Sequence, residues 1–344
     1  MPRALAPFLP LALLPALWAL PASADDGPAR TVPPPGRPAI SVLRPADLAA
    51  LVRHLDASVD AGPQLIIVIG GFASAHDDAA FDALRRRYDG DPRYEIVRFG
   101  AGSAHYDTTG TLDANARALL EEIRSRSPHY ARVHLVTHSM GGAVADRAFA
   151  QGLSAADGVR TYVALAAPHD GAGAAFLSTL VLGLAGPDAE EIRSVARLAG
   201  HNIGAPAVED LAWLRAGPPP PGVARLDVRL ATDALVTRQD GRTPGVEART
   251  LLPDSLDDLE GHGAVLTDPR VVDLVRATIA DGVPPPDRRS AVLRRAADEV
   301  DAATEILARV ALAAAAAGIL ASLLAARAER HSLSGRIRRR VFGR

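Results

Sequence analysis

The sequence predicts an α/β fold, a mostly parallel sheet flanked by helices. Three observations carry this. Leu65-Ile66-Ile67-Val68-Ile69 is a continuous aliphatic run that stops at Gly70-Gly71, the pattern of a strand buried on both faces. Val133–Val136 is a second short strand, and it leads through Thr137-His138-Ser139-Met140-Gly141-Gly142 straight into a helical stretch. Such strands alternate along the chain with helices long enough to be crossovers, which makes neighbouring strands run parallel.

The remaining elements follow from the spacing of the apolar residues. After Leu65–Ile69 comes a helical stretch with Phe81 and Leu84, then a short strand, Glu95–Phe99. Leu112, Ala116, Leu119, Leu120 and Ile123 recur at steps of three and four, predicting a helix over Leu112–Arg126. Beyond the serine turn, Val144, Ala145, Ala148 and Phe149 continue as a helix, and Thr161–Ala166 and Leu226–Ala231 read as strands. Asp268-Pro269 is an N-cap and first-turn pair that opens a helix with Val272, Val275 and Ile279. Proline-rich stretches lie at Val32–Pro38, Gly217–Gly222 and Val283–Pro286; the first and last bracket residues 39–282, enough for one α/β domain. No internal repeat is evident.

The 344 residues carry 40 acidic and 38 basic side chains, a net of −2, and every basic one is arginine. Near-neutrality argues against a dedicated nucleic-acid binder. The absence of cysteine excludes disulfides, thiolate metal sites, iron–sulfur clusters and a thiol nucleophile. The total hides a gradient. Residues 1–24 hold one charge, Arg3, ahead of the apolar Ala4–Leu20 and the small residues Ala22-Ser23-Ala24, the three-part pattern of a secretory signal peptide cleaved after Ala24. Residues 25–38 follow as a proline-rich linker. Residues 25–326 carry 30 arginines against 39 acids, whereas 327–344 carry seven arginines and one glutamate. Just before that basic tail, Val310–Ala326 is an uncharged run of 17 residues, nine of them alanine. Arginine after an apolar helix stays on the cytoplasmic side. Signal peptide and tail together therefore predict an exported domain, held by a transmembrane helix over 310–326 with a cytoplasmic tail at 327–344. The run is short for a hydrocarbon core that takes ~20 residues to cross. Residues 283–309 precede it as linker and amphipathic helix, with Leu293, Ala296, Val300, Ala303 and Leu307 at helical spacing. The competing expectation is one long helix that packs on the domain or lies on a membrane surface.

Chemistry concentrates at Thr137–Gly142. A serine between strand and helix sits on a sharp turn that exposes its hydroxyl, and small residues two positions either side let the two arms approach. Gly141 meets that need and Thr137 stands where glycine is usual. The turn sets Ser139 at a helix N-terminus, where the N–H of Met140 can face an oxyanion. Gly70-Gly71-Phe72, after the first strand, allows close backbone approach, and the N–H of Phe72 is the candidate second donor, with Gly71 as the alternative. A serine nucleophile needs a base, and the base an orienting acid. Among ten histidines, His262 lies in the glycine-flanked loop Leu259-Glu260-Gly261-His262-Gly263-Ala264, between the Asp233 region and the last helix of the domain. Asp233, just past the strand Leu226–Ala231, is the candidate acid, with Asp240 as the fallback. His76-Asp77-Asp78 and His105-Tyr106-Asp107 have metal-like composition but read as loop residues, so no metal is expected.

In these residues the sequence resembles the α/β-hydrolases of the lipase and esterase type. It shares the chain order Ser139, Asp233, His262 and the His-Ser-Met-Gly-Gly elbow. Leu165-Ala166-Ala167-Pro168-His169 is similar to the Pro-His segment of lipases and of deacylases that act on inositol-linked lipids. The resemblance covers about Pro63 to Gly282. It implies an eight-stranded, mostly parallel sheet with the triad at its carboxyl edge, and structural places for His138 and His169. Thr137 before the elbow, and Gly70 where many lipases have histidine, depart from the family pattern. The implied activity is hydrolysis of carboxylic esters through an acyl-enzyme on Ser139, with no cofactor. Between residues 168 and 225 the apolar run Ala172–Ala185 suggests a helical lid or cap, which with a membrane helix would suit lipid or long-chain acyl esters. An acyltransferase using the same triad, or a non-catalytic hydrolase-fold binding module, are the alternatives.

Overall fold

A computed structural model describes residues 62–72, 78–101, 105–173, 205–241, 245–253 and 261–342, with isolated positions at 175, 179, 182, 190 and 243. The signal peptide and proline-rich linker expected within residues 1–38, and most of the apolar run of the expected lid, lie outside the described residues.

The aliphatic run after Gln64 forms β1, Gln64–Ile69, an inner strand next to the edge of a six-stranded sheet. The other strands are β2 (Tyr94–Arg98), β3 (Arg132–His138), β4 (Val159–Leu165), β5 (Ala224–Leu230) and β6 (Glu247–Leu251). All pairings are parallel, in the order β2-β1-β3-β4-β5-β6. Six strands are described, not the eight that the resemblance implies. The sequence reading also missed β6, whose Glu247-Ala248-Arg249-Thr250-Leu251 alternates charged and small residues without an aliphatic run.

Alternation along β1 divides the core in two. Leu65, Ile67 and Ile69 face α2 (Leu112–Arg126) and α3 (Met140–Ala150) in one apolar cluster with Leu119, Ile123 and Val144. Ile66 and Val68 face α1 (Asp82–Tyr88) and α6 (Pro269–Asp281) in the other, with Leu84, Val272 and Ile279. Each fully buried aliphatic side chain contributes ~1.5–3 kcal/mol, so the five of β1 anchor both layers. The helix starts are set by their caps. Thr111 accepts from the Ala114 N–H at 3.2 Å, and Asp268 accepts from the Arg270 N–H at 2.8 Å ahead of Pro269. Two short helices complete the order before the last one, α4 (Pro206–Ala212) and the single turn α5 (Gly261–Ala264).

The C-terminal segment, expected as an amphipathic helix, span and tail or as one long helix packed on the domain, is continuous. Residues Ala291–Phe342 form one helix, α7, of 52 residues, about 78 Å long at the usual rise. It packs across β6 and the loop after β5: Ala297, Asp301 and Ala308 are buried, Asp301 takes an ion pair from Arg229, and Arg309 donates to Gln239. Among the described residues no helix is long and apolar enough to cross a membrane. The stretch expected to span, 310–326, is a part of α7, and several of its side chains lie outside the described residues.

Candidate active site

The carboxyl end of β3 runs into α3 through Ser139, whose backbone sits at φ 54° and ψ −129°. That conformation is sparsely populated for any residue with a side chain and costs ~1–3 kcal/mol. Three close approaches hold it. A Cβ on Gly141 would lie 2.3 Å from the Ile69 carbonyl oxygen, one on Gly142 would lie 2.2 Å from the Ala167 Cβ, and one on Gly71 would lie 2.6 Å from the Ser139 Cβ. The ends of β1, β3 and β4 therefore converge where only glycine fits. The Ser139 N–H donates to the Leu165 carbonyl at 3.0 Å, and the Gly142 N–H to the Ser139 carbonyl at 2.9 Å.

The hydroxyl points at His262, with Ser139 Oγ 2.8 Å from His262 Nε2. His262 Nδ1 lies 2.9 Å from Asp233 Oδ2. Asp233 is fully buried, and its other oxygen accepts from the N–H groups of Leu235 at 3.0 Å and Val236 at 2.9 Å. A carboxylate so placed can only accept, so Nδ1 of His262 carries the proton and Nε2 is free to receive one from Ser139. The structure thus brings Ser139, His262 and Asp233 into one hydrogen-bonded line. Asp240 is not in it: its carboxylate accepts from the Thr237 N–H and hydroxyl at 3.2 and 3.0 Å, and burial raises its pKa. His262 stands on the single turn α5, not in an open loop.

The two candidate oxyanion donors belong to the segments on either side of the serine. Met140 is the first residue of α3, so its N–H has no acceptor within the helix. The turn after β1 touches the serine at Gly71, which brings Phe72 to the same corner. Tyr106 braces that turn. It is buried, stacks on Phe99 at 4.9 Å, and its hydroxyl donates to the Gly70 carbonyl at 2.8 Å. The second metal-like segment thus spends its tyrosine on the turn, while Asp107 accepts from Thr109. Among the described residues no group of three His, Asp or Glu side chains could hold a metal ion; His76 and Asp77 lie outside them.

His138, next to the nucleophile, is 6% exposed and leans on the ring of His262 at 4.9 Å. Its Nε2–H donates to the backbone carbonyl of His262 at 2.9 Å. Burial, then the neighbouring His262, lowers its pKa to about 4, so it is a neutral donor near pH 7.

A buried charged cluster lies behind the elbow. His169 Nδ1 is 2.5 Å from Asp146 of α3, and Arg225 of β5 reaches Asp146 at 3.0 Å, Asp227 at 2.8 Å and the Thr243 hydroxyl at 2.7 Å. Tyr162 lies under the Arg225 guanidinium at 4.8 Å and donates to the Gly142 carbonyl at 3.0 Å. Burial alone would lower the Arg225 pKa, but Asp146, Tyr162 and Asp227 outweigh it and the guanidinium is held above its ordinary value. Asp146, Tyr162 and Arg225 were missed in the sequence because their relation is tertiary. The one available signal was Arg225-Leu226-Asp227, two opposite charges on one face of a strand that otherwise reads as core.

Residues 101–182 match the family model of the PGAP1-like alpha/beta domain, a range that contains Ser139 but neither Asp233 nor His262. No match was found among curated proteins. Among solved structures, the mature form of a lipase from Bacillus licheniformis is similar with a TM-score of 0.42 and 16% identity, covering 62% of this chain and 92% of that one. A thermophilic esterase from Thermogutta terrifontis is similar with a TM-score of 0.40 and 17% identity, over 64% of this chain and 90% of that one. A methylesterase from Arabidopsis gives a TM-score of 0.38 and 19% identity, over 63% and 99%.

Proposed function

We propose, from the parallel sheet and the serine turn at the end of β3, that the protein is an α/β-hydrolase, a serine hydrolase of carboxylic esters acting through an acyl-enzyme on Ser139. The observation that carries the reading is the continuous line Ser139–His262–Asp233 at 2.8 and 2.9 Å. His262 Nε2 takes the hydroxyl proton as Ser139 Oγ attacks the acyl carbon, and the developing oxyanion turns to the N–H groups of Met140 and Phe72. The same proton then passes to the leaving alcohol oxygen as its bond to carbon breaks. Water, deprotonated by His262, attacks the acyl-enzyme, and the proton passes from His262 to Ser139 Oγ as its bond to the acyl carbon breaks, which releases the acid and restores the hydroxyl. Asp233 keeps the imidazole in the tautomer that can accept at Nε2. No cofactor enters this sequence.

The proposal extends to place and substrate. Arg3 with the apolar Ala4–Leu20, and the seven arginines that follow the run Val310–Ala326, support an exported domain retained at the membrane by its C-terminal helix. A lipid or other long-chain acyl ester fits that location and the apolar run Ala172–Ala185. The test is the full chain in detergent with a fluorophosphonate probe and p-nitrophenyl esters of increasing chain length. The wild type should be labelled and should prefer the longer esters, and Ser139→Ala should lose both labelling and turnover. Labelling that persists in Ser139→Ala, or a folded wild type that never reacts, overturns the reading.

A further inference from the structure

Helix α7 turns small and acidic side chains to the domain and its larger apolar side chains away from it. The side chains it buries are Ala297, Asp301 and Ala308, whereas Leu293, Ile306, Leu307 and Val310 stay 51–70% exposed. An amphipathic helix serving only the domain beneath it has the opposite arrangement.

The exposed side has a second property. From Leu293, positions 296, 300, 303, 307, 310, 314, 317, 321 and 324 follow in alternating steps of three and four, and all are Leu, Val or Ala. A repeat of 3.5 residues keeps one seam against one partner helix along its whole length when the two helices supercoil. A lipid surface imposes no such register. Nor does the domain: the positions α7 turns to it, 297, 301, 305, 308 and 312, follow steps of four, four, three and four. The seam side chains described up to Ala321 are exposed, except the half-buried Ala296.

Area points the same way. The exposed parts of Val292, Leu293, Val300, Ile306, Leu307 and Val310 come to on the order of 600 Å², and the alanines carry this toward the ~800 Å² per partner of a stable interface. Such a face is at the upper limit of what a monomer leaves uncovered.

We propose that α7 pairs two copies of this chain, seam to seam, through Leu293, Val300, Leu307 and Val310. The occupant of the exposed face is the same face of a second chain, and the contact is independent of the catalytic reading.

The chain has no cysteine, so one introduced thiol reports the contact cleanly. Leu307 lies near the middle of the seam and meets its counterpart whether the two helices run parallel or antiparallel. Full-length Leu307→Cys, oxidised in nonionic detergent with copper phenanthroline, is expected to run at twice the monomer mass on a non-reducing gel. Ala302→Cys, exposed but off the seam, is expected to stay monomeric. The wild type should sediment as a dimer, and the double variant Val300→Asp, Leu307→Asp as a monomer with unchanged far-ultraviolet circular dichroism. A wild type that sediments as a monomer, or equal cross-linking of the two cysteine variants, overturns the proposal. So does a monomer whose dye-labelled Leu307→Cys shifts to the blue on adding phosphatidylglycerol vesicles, which would assign the face to lipid.

Discussion

At Ser139 an unfavourable backbone angle, three glycine contacts and a hydrogen bond to His262 coincide, and each needs the others. The angle presents the hydroxyl, the glycines make room for it, and His262 gives it an acceptor. His138 adds a less obvious support, since its N–H holds the carbonyl of the residue whose ring does the chemistry. Removing one such hydrogen bond shifts a barrier by about 1.4 kcal/mol, so His138→Ala should lose about tenfold in kcat with KM nearly unchanged. His138→Gln, which keeps an N–H donor, should recover part of it. Wild-type kcat in His138→Ala would remove this role. Buried histidines also set an acid limit. His138 is held down to about 4, and His134, bonded to Gln64 and Thr161, to about 3, in both by burial first. Each is neutral when folded and binds a proton when unfolded as pH falls below about 6.5. Their contribution is thus fully present above pH 6.5 and is lost as pH falls toward 4. Two such groups give unfolding free energy a slope of up to about 2.7 kcal/mol per pH unit in that window. Urea unfolding between pH 7 and 4.5 measures it, and His134→Gln should reduce their combined slope by about half.

Between elements, the charged cluster links α3, β4 and β5, the three that carry or adjoin Ser139 and Asp233. Arg225→Met leaves Asp146 and Asp227 buried with only the His169 imidazole beside them, and the expected loss is about 3–5 kcal/mol by chemical denaturation. Adding Asp146→Asn and Asp227→Asn should recover much of it, because the cost lies in the uncompensated charge. If Arg225→Met unfolds at the wild-type midpoint, the cluster does not tie these elements together. The elements show what was legible in sequence. Leu112–Arg126 is a helix with the boundaries its apolar spacing gives, because Leu112, Ala116, Leu119, Leu120 and Ile123 all enter one apolar cluster with Leu65 and Ile67 of β1 and Val133 and Leu135 of β3. β6 was not legible, because an edge strand with α7 and Arg289 laid against it needs no aliphatic run of its own.

For the whole molecule, α7 decides what can be cut away. Asp301 is 1% exposed, and its partner Arg229 lies in β5, so a chain ended at Pro286 leaves a buried guanidinium unpaired. Such a chain should melt several degrees below one ended at Ala316, and Arg229→Met should narrow the gap. Equal melting temperatures would mean that α7 adds nothing to the domain. The amino-acid sequence by itself determined the alternation of strands and helices, the strand-to-turn-to-helix setting of Ser139, and the short set of companions, His262 with Asp233 or Asp240, from which its partners come. These rest on local patterns: apolar period, glycine at close approaches, and a cap residue before a proline. Only the tertiary structure decided that His262 meets Asp233 and not Asp240, that Tyr106 and His138 brace the two sides of the serine, and that α7 keeps its apolar face uncovered. Those outcomes depend on which backbone ends converge at the carboxyl edge of the sheet, and residues far apart in the chain acquire distances only when the sheet closes.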